Sequence, residues 1–95
     1  MMRVEWTRKA RGDVARVIGF LRERSPTAAG RAYVMIREAT LQLSQFPDSG
    51  RIYHRNPKQR ELLIPFGRHG YSLLYEVRGE VVVIANLKHQ REAGY

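Results

Sequence analysis

The hydrophobic period of this chain changes once, around Phe46–Gly50, and that change constrains the fold more than any other feature. Before it, apolar residues recur at steps of three and four, the spacing of one helical face. After it they alternate or run together, as they do in strands. A chain divided in this way buries both patterns by laying helices from its first half on a sheet from its second.

Val4, Glu5 and Trp6 read as the end of a short first strand, and Thr7 as the cap of a helix. Within that helix Ala10, Val14, Val17, Ile18 and Leu21 form one apolar stripe, and the helix should end near Arg24. Ser25-Pro26 restarts it, since Ser is a good N-cap and Pro suits the first helical position. The second stripe is Ala29, Ala32, Tyr33, Ile36, Ala39, Leu43 and Phe46, stopped by Pro47-Asp48-Ser49-Gly50. With almost no linker between them, the helices are predicted to form an antiparallel hairpin. Trp6 should anchor the core beneath it.

Arg51 to Gln59 is polar, contains Pro57, and reads as a loop or an irregular edge. Arg60 to Pro65 is a short strand, and Gly67-Arg68-His69-Gly70 a turn. Tyr71 to Val77 alternates, with Tyr71, Leu73, Tyr75 and Val77 on one face; Arg78-Gly79 marks a tight hairpin. Val81 to Leu87 is nearly all apolar, which predicts a central strand covered on one face. Lys88 to Tyr95 is a polar segment. The expectation is a single α+β domain over residues 1–95, in the order β-α-α-β-β-β. Its helical hairpin packs on one face of a small, mostly antiparallel sheet, leaving the other face and the rim for function.

Charge narrows what such a surface binds. Lys and Arg total 17 against nine acids, a net +8, and only Lys9, Lys58 and Lys88 are lysine. Arginine's planar fork matches phosphate and carboxylate oxygens, so the surface suits a polyanion or an acidic protein. A merely solvated, arginine-rich surface is the plainer alternative. The absence of cysteine excludes disulfides, thiolate metal sites and cysteine nucleophiles. His54, His69 and His89 are too widely spaced for a recognisable metal motif, and no cofactor motif is present. No apolar run approaches the roughly 20 residues of a membrane span, and no signal-peptide pattern opens the chain, so a cytoplasmic location is expected.

Several short pieces, in order, carry a resemblance. They are Val4-Glu5-Trp6-Thr7 with Ala10 and Asp13, Phe46-Pro47-x-Ser49-Gly50-Arg51, and Arg60-Glu61-Leu62. Gly70-Tyr71-x-x-Leu74-Tyr75-x-Val77 follows, then Val83-Ile84 leading to His89-x-Arg91. Each is weak alone; together, over nearly the whole chain, they resemble the RelE/ParE toxin superfamily. The resemblance implies the toxin of a type II toxin–antitoxin module, held inactive by a cognate antitoxin whose tail wraps it. It also implies one of two targets. ParE-like toxins inhibit DNA gyrase and are not thought to act as nucleases. RelE-like toxins cut mRNA in the ribosomal A site. Assembly as a homodimer through the apolar hairpin, or as a heterotetramer with the antitoxin, is compatible with either.

For a metal-free ribonuclease the available groups are His, Arg, Lys and Tyr. His89 titrates near neutrality and can serve as acid or base. Arg91 and Arg60 can hold the phosphate, and Tyr95 can donate a proton or stack on a base. His89, Arg91 and Tyr95 resemble the basic-plus-Tyr set of the RelE branch. Arg51, Arg55, Lys58, Arg68, His69 and Lys88 are the candidates for binding nucleic acid or another target. Against the nuclease, Ser72 stands where active RelE-like members often place a basic residue. That substitution and the Phe46–Arg51 piece favour the ParE side, so the expectation is a gyrase inhibitor. The ribosome-dependent endoribonuclease is the alternative, and a non-toxic basic nucleic-acid-binding module the third reading.

Overall fold

Thr7 joins the first strand, β1 (Arg3–Trp6), to the first helix, α1 (Arg8–Arg24). Its hydroxyl oxygen accepts the Ala10 N–H at 3.1 Å and its O–H donates to the Ala85 carbonyl at 3.2 Å, so one cap also ties the helix to the sheet. Ser25 serves both ends of the helical hairpin. Its N–H bonds the Leu21 carbonyl, and its side chain accepts from Ala28 at the start of α2 (Pro26–Gln45). The linker is therefore as short as expected. The structure, a computed structural model, describes residues 1–92 and 94–95.

The buried stripes are Ala10, Val17 and Ile18 on α1, and Ala29, Ala32, Ile36, Ala39 and Leu43 on α2. The alanines let the helices approach each other closely. Tyr33 and Phe46 depart from the expected stripe, being 51% and 63% exposed. Tyr33 follows Ala32 by one position, which turns it out of the row that Ala32 and Ile36 define. Phe46 is the residue just past the last helical turn, where its N–H bonds the Gln42 carbonyl.

The sheet has five strands in the order β1-β5-β4-β3-β2, where β2 is Arg51–Ile52, β3 Gln59–Ile64, β4 Tyr71–Arg78 and β5 Val81–His89. β1 pairs with β5 in parallel, and the remaining pairs are antiparallel. The two-residue β2 extends the expected order by one strand. In it Arg51 pairs with Glu61 and Ile52 with Arg60 across the ladder, and the Arg51 and Glu61 side chains form an ion pair. β5 runs beyond Leu87, so Lys88 and His89 belong to a strand and not to a polar tail. Gly79, with φ +59, opens the two-residue turn between Arg78 and Val81, a position that favours glycine.

On its helix side the sheet contributes Leu62, Ile64, Tyr71, Leu73, Tyr75, Val82, Ile84 and Leu87 to the core. Each such aliphatic side chain stabilises the fold by about 1.5–3 kcal/mol relative to exposure. Trp6 packs against this core from the side, half-buried, and does not sit at its centre. β1 pairs only with Val81–Ile84, which leaves the far half of the β5 edge to α1. There the buried Asp13 accepts the Leu87 N–H at 3.0 Å and pairs with Lys9 Nζ at 2.9 Å.

Tyr75 reaches from β4 to the turn that follows α2. Its hydroxyl donates to the Pro47 carbonyl at 2.6 Å and accepts the Gly50 N–H at 2.9 Å. Arg60, paired with Tyr75 in register, sends Nη1 to the carbonyls of Gly50 at 2.8 Å and Asp48 at 3.3 Å. The Phe46–Arg51 motif is thus the backbone of a clamped turn.

Candidate functional site

Strand alternation sorts the candidate residues onto two faces. Tyr71 and His89 are register partners and face the helices; Ser72 and Lys88, one step away, face the opposite side together with Glu61 and Leu74. That second face is not bare. Glu61 and Ser72 are buried on it, and Tyr95 lies over them.

The Tyr95 hydroxyl donates to Glu61 Oε2 at 2.5 Å. Its ring meets Tyr53 edge-on, with centroids 5.7 Å apart, and Lys88 Nζ sits 5.2 Å from its centre. The other carboxylate oxygen of Glu61 accepts from Arg51 Nε at 3.0 Å and Nη2 at 2.6 Å. Around this network lies a cleft of about 700 Å³ lined by Arg51, Tyr53, His54, Arg55, Lys88 and Tyr95. Burial alone raises the pKa of Glu61, but hydrogen bonds from Tyr95 and Arg51, with the charges of Arg51 and Lys88, bring it below 4.5. Tyr95 moves the other way. Burial first, then the Glu61 carboxylate, hold its phenol well above the ordinary value of 10.0. At neutral pH the pair is a carboxylate accepting from a protonated phenol.

His89 lies at the edge of the helix-side layer. Its ring stands edge-on to Tyr71 at 5.6 Å and to His69 at 5.8 Å. Its backbone N–H donates to Glu92, which also pairs with Arg16 on α1 at 2.8 Å. Nδ1 accepts the Arg91 N–H at 3.2 Å, which assigns the proton of the neutral ring to Nε2. Burial, with the charges of His69, Arg91 and Lys88, outweighs the attraction of Glu92 and lowers its pKa below 6.5. The imidazole is therefore neutral at pH 7. Phe20, Phe66, Arg68, His69, Tyr71 and His89 line a cleft of about 660 Å³ between α1 and the β3–β4 turn.

The residues named as a nuclease set do not meet. His89 is on the helix side, Tyr95 on the opposite face, and Arg60 at the clamped turn, where Asp48 and two carbonyls engage it. Arg91 is exposed in the turn after β5. Of the proposed target-binding residues, Arg51, Arg55 and Lys88 gather around Tyr95; Arg68 and His69 flank His89; Lys58 is exposed in the β2–β3 loop. Sequence reasoning missed Glu61 and Tyr53 as parts of the Tyr95 cluster. The signal available for Glu61 was a carboxylate directly before the apolar run Leu62-Leu63-Ile64, where a buried acid needs partners. Among the described residues no three His, Asp or Glu side chains gather as a metal site requires, and no helix is long and apolar enough to cross a membrane.

Comparison with known proteins agrees with this architecture. Residues 4–94 match the family described as ParE toxin of type II toxin–antitoxin system, parDE. The chain is similar to Toxin RelE3 of Caulobacter vibrioides, 40% identical over 92 residues that cover 97% of this chain and 98% of that one. It is also similar to Toxin RelE1 of the same organism, 34% identical with 88% of each chain covered. Its fold is similar to a solved structure described as the chromosomal ParDE TA system from P. aeruginosa. The TM-score is 0.77, at 26% identity, covering 94% of this chain and 96% of that one. The helical hairpin on a five-stranded mixed sheet is thus shared with that ParDE structure, and the chain is a toxin of the RelE/ParE superfamily. Within that class, the chain belongs to the ParE toxin family of type II toxin–antitoxin systems.

Proposed function

We propose that this toxin arrests bacterial growth in the cytoplasm by binding DNA gyrase, and that a cognate antitoxin holds it inactive. The observation that supports an inhibitor over a nuclease is the separation of His89, Tyr95 and Arg60. Metal-free phosphodiester cleavage needs a proton donor, a base and a charge stabiliser within reach of one phosphate. The sheet lies between His89 and Tyr95, and Arg60 is engaged by the turn it supports. Tyr95, its pKa raised by burial and by Glu61, is also a poor proton donor to a leaving group.

The net charge of +8 and the exposed Phe20, Tyr33, Val34 and Leu41 of the hairpin suit an acidic, amphipathic antitoxin segment. A heterotetramer with the antitoxin is the proposed assembly, with a toxin homodimer through the hairpin as the other. The second functional reading, a ribosome-dependent endoribonuclease, draws on one specific observation: Arg51, Lys88 and Tyr95 do converge. Induced expression in a bacterium, with growth, transcript integrity and plasmid supercoiling followed together, separates the readings. Lost supercoiling with intact transcripts is expected. Cut transcripts with normal supercoiling would replace gyrase by mRNA, and undisturbed growth would leave only a basic binding module.

A further inference from the structure

We propose that the cleft between α1 and the β3–β4 turn binds a small aromatic monocarboxylate, with its ring on the apolar floor and its carboxylate held by Tyr71, His89 and Arg68. This cleft is separate from the one around Tyr95, and the inference stands whichever target arrests growth.

Tyr71 carries the argument. The residue is only 4% exposed, yet among the described residues its hydroxyl has no hydrogen-bond partner. A buried phenol normally finds one. No side-chain nitrogen or oxygen among the described residues is both fully buried and unpartnered, so this hydroxyl reaches open space, and the cleft is the space that Tyr71 lines. Burial, with the charge of Glu92, holds its pKa above 10.0, so it keeps its proton and can donate.

Two more donors share the cleft. The His89 ring stands edge-on to Tyr71, and with Nδ1 accepting from Arg91 its proton is on Nε2, which has no acceptor among the described residues. Arg68, on the turn, is exposed and in no ion pair among the described residues. The charges select a monoanion. Arg16 and Glu92 also line the cleft but pair with each other at 2.8 Å, and Glu92 further accepts the His89 N–H. Arg68 is left as the one uncompensated charge of the lining, and its fork suits a carboxylate.

The floor selects an aromatic ring. Phe20, Leu21, Phe66 and Tyr71 form it, with the Phe66 and Tyr71 rings 5.7 Å apart, and a flat ring can meet such edges and faces. The volume of about 660 Å³ lies within the roughly 300–1,000 Å³ of small-molecule sites. The wall is fixed in advance. Gln90 bonds the Gly70 carbonyl through its N–H at 3.0 Å and the Tyr71 carbonyl through its side chain at 3.2 Å. A Cβ on Gly70 would lie 3.0 Å from the Phe66 nitrogen, so the turn is closely packed on itself. Such preorganisation favours a small ligand. An acidic chain would bring several carboxylates to a lining with one uncompensated cation.

The test is isothermal titration calorimetry of the full chain with indoleacetate, its neutral isostere indoleacetamide, and a blocked Glu-Trp-Glu tripeptide. Wild type, Tyr71→Phe and Arg68→Ala are compared. Indoleacetate should bind wild type saturably and at least about tenfold more tightly than the amide, and each variant should weaken it by about tenfold, as loss of a hydrogen bond to a charged group does. Tyr71→Phe should leave the urea midpoint unchanged, because its hydroxyl has no partner to lose. A lowered midpoint would show that the hydroxyl serves the fold and overturn its role as a free donor. Absence of saturable binding would overturn the site. Binding indifferent to both variants would place the ligand elsewhere, and equal binding of the amide would overturn carboxylate recognition. Tighter binding of the tripeptide would assign the cleft to a side chain of a protein partner and overturn the small-molecule reading.

Discussion

The phenolic oxygen of Tyr75 accepts the backbone N–H of Gly50 at 2.9 Å while its proton goes to the Pro47 carbonyl at 2.6 Å. One side chain from the middle of the sheet thereby holds the turn that brings Arg51 onto Glu61. A Cβ at position 50 would lie 2.8 Å from the Tyr75 hydroxyl and 2.9 Å from the backbone oxygen of Glu61, which cannot swing away. Gly50→Ala should therefore destabilise by about 1–3 kcal/mol, the usual range for overpacking. Tyr75→Phe should cost about 1–3 kcal/mol for the unpaired buried groups. Urea denaturation measures both, and an unchanged midpoint for Tyr75→Phe would show that the turn stands without its clamp.

Asp13 completes the ladder of β5 where β1 stops. Removing its carboxylate leaves the Leu87 N–H buried without a partner, so Asp13→Ala should lose about 1–3 kcal/mol. Lys9→Ala removes only an ion pair whose lysine is 61% exposed and should change stability by less than about 1 kcal/mol. If the two variants prove equally unstable, the ion pair and not the strand-edge hydrogen bond is the important contact.

His89→Ala distinguishes the two modes of action. The imidazole is neutral, its Nδ1 accepts from Arg91, and it faces away from Tyr95. Growth arrest by the variant, expressed without antitoxin, should weaken without disappearing. Transcript cleavage by the parent that a folded variant lacks, together with abolished arrest, would restore His89 as a catalytic residue.

Acidification should destabilise the fold in two stages. The folded pKa of His89 is below 6.5, so the unfolded chain binds its proton first, and stability falls as pH drops below about 6.5. The folded pKa values of Glu61 and Glu92 lie below 4.5; their contribution is complete above that value and is lost as pH falls through the folded ones. Stability followed by urea midpoint from pH 8 to pH 3 should show both. His89→Gln should flatten the upper stage and Glu61→Gln part of the lower. A lower stage unaffected by Glu61→Gln would mean that its hydrogen bonds to Tyr95 and Arg51 do not survive in solution.

Much of the fold was legible because its determinants are local. Thr7 and Ser25 cap the helices, and the row from Ala29 to Leu43 is spaced for one helical face. The alternation of Tyr71, Leu73 and Tyr75 marks the core side of β4. β2 was not legible as a strand, since two residues have no period and their pairing with Arg60 and Glu61 joins residues eight to ten positions apart. Tyr33 was misplaced because one helical step turns a side chain through roughly 100°.

The site was less legible for the same reason. Periodicity alone determined the two layers, the helical hairpin and the core, because burial is written into the spacing of apolar residues along each element. Composition alone determined that the surface is basic. Only the tertiary structure decided that Lys88 faces Tyr95 while His89 faces His69, because a shift of one residue in a strand reverses its faces. It also decided that Glu61, Tyr53 and Tyr95 meet, since their contact depends on strand register and joins residues more than 30 positions apart, which has no local signature.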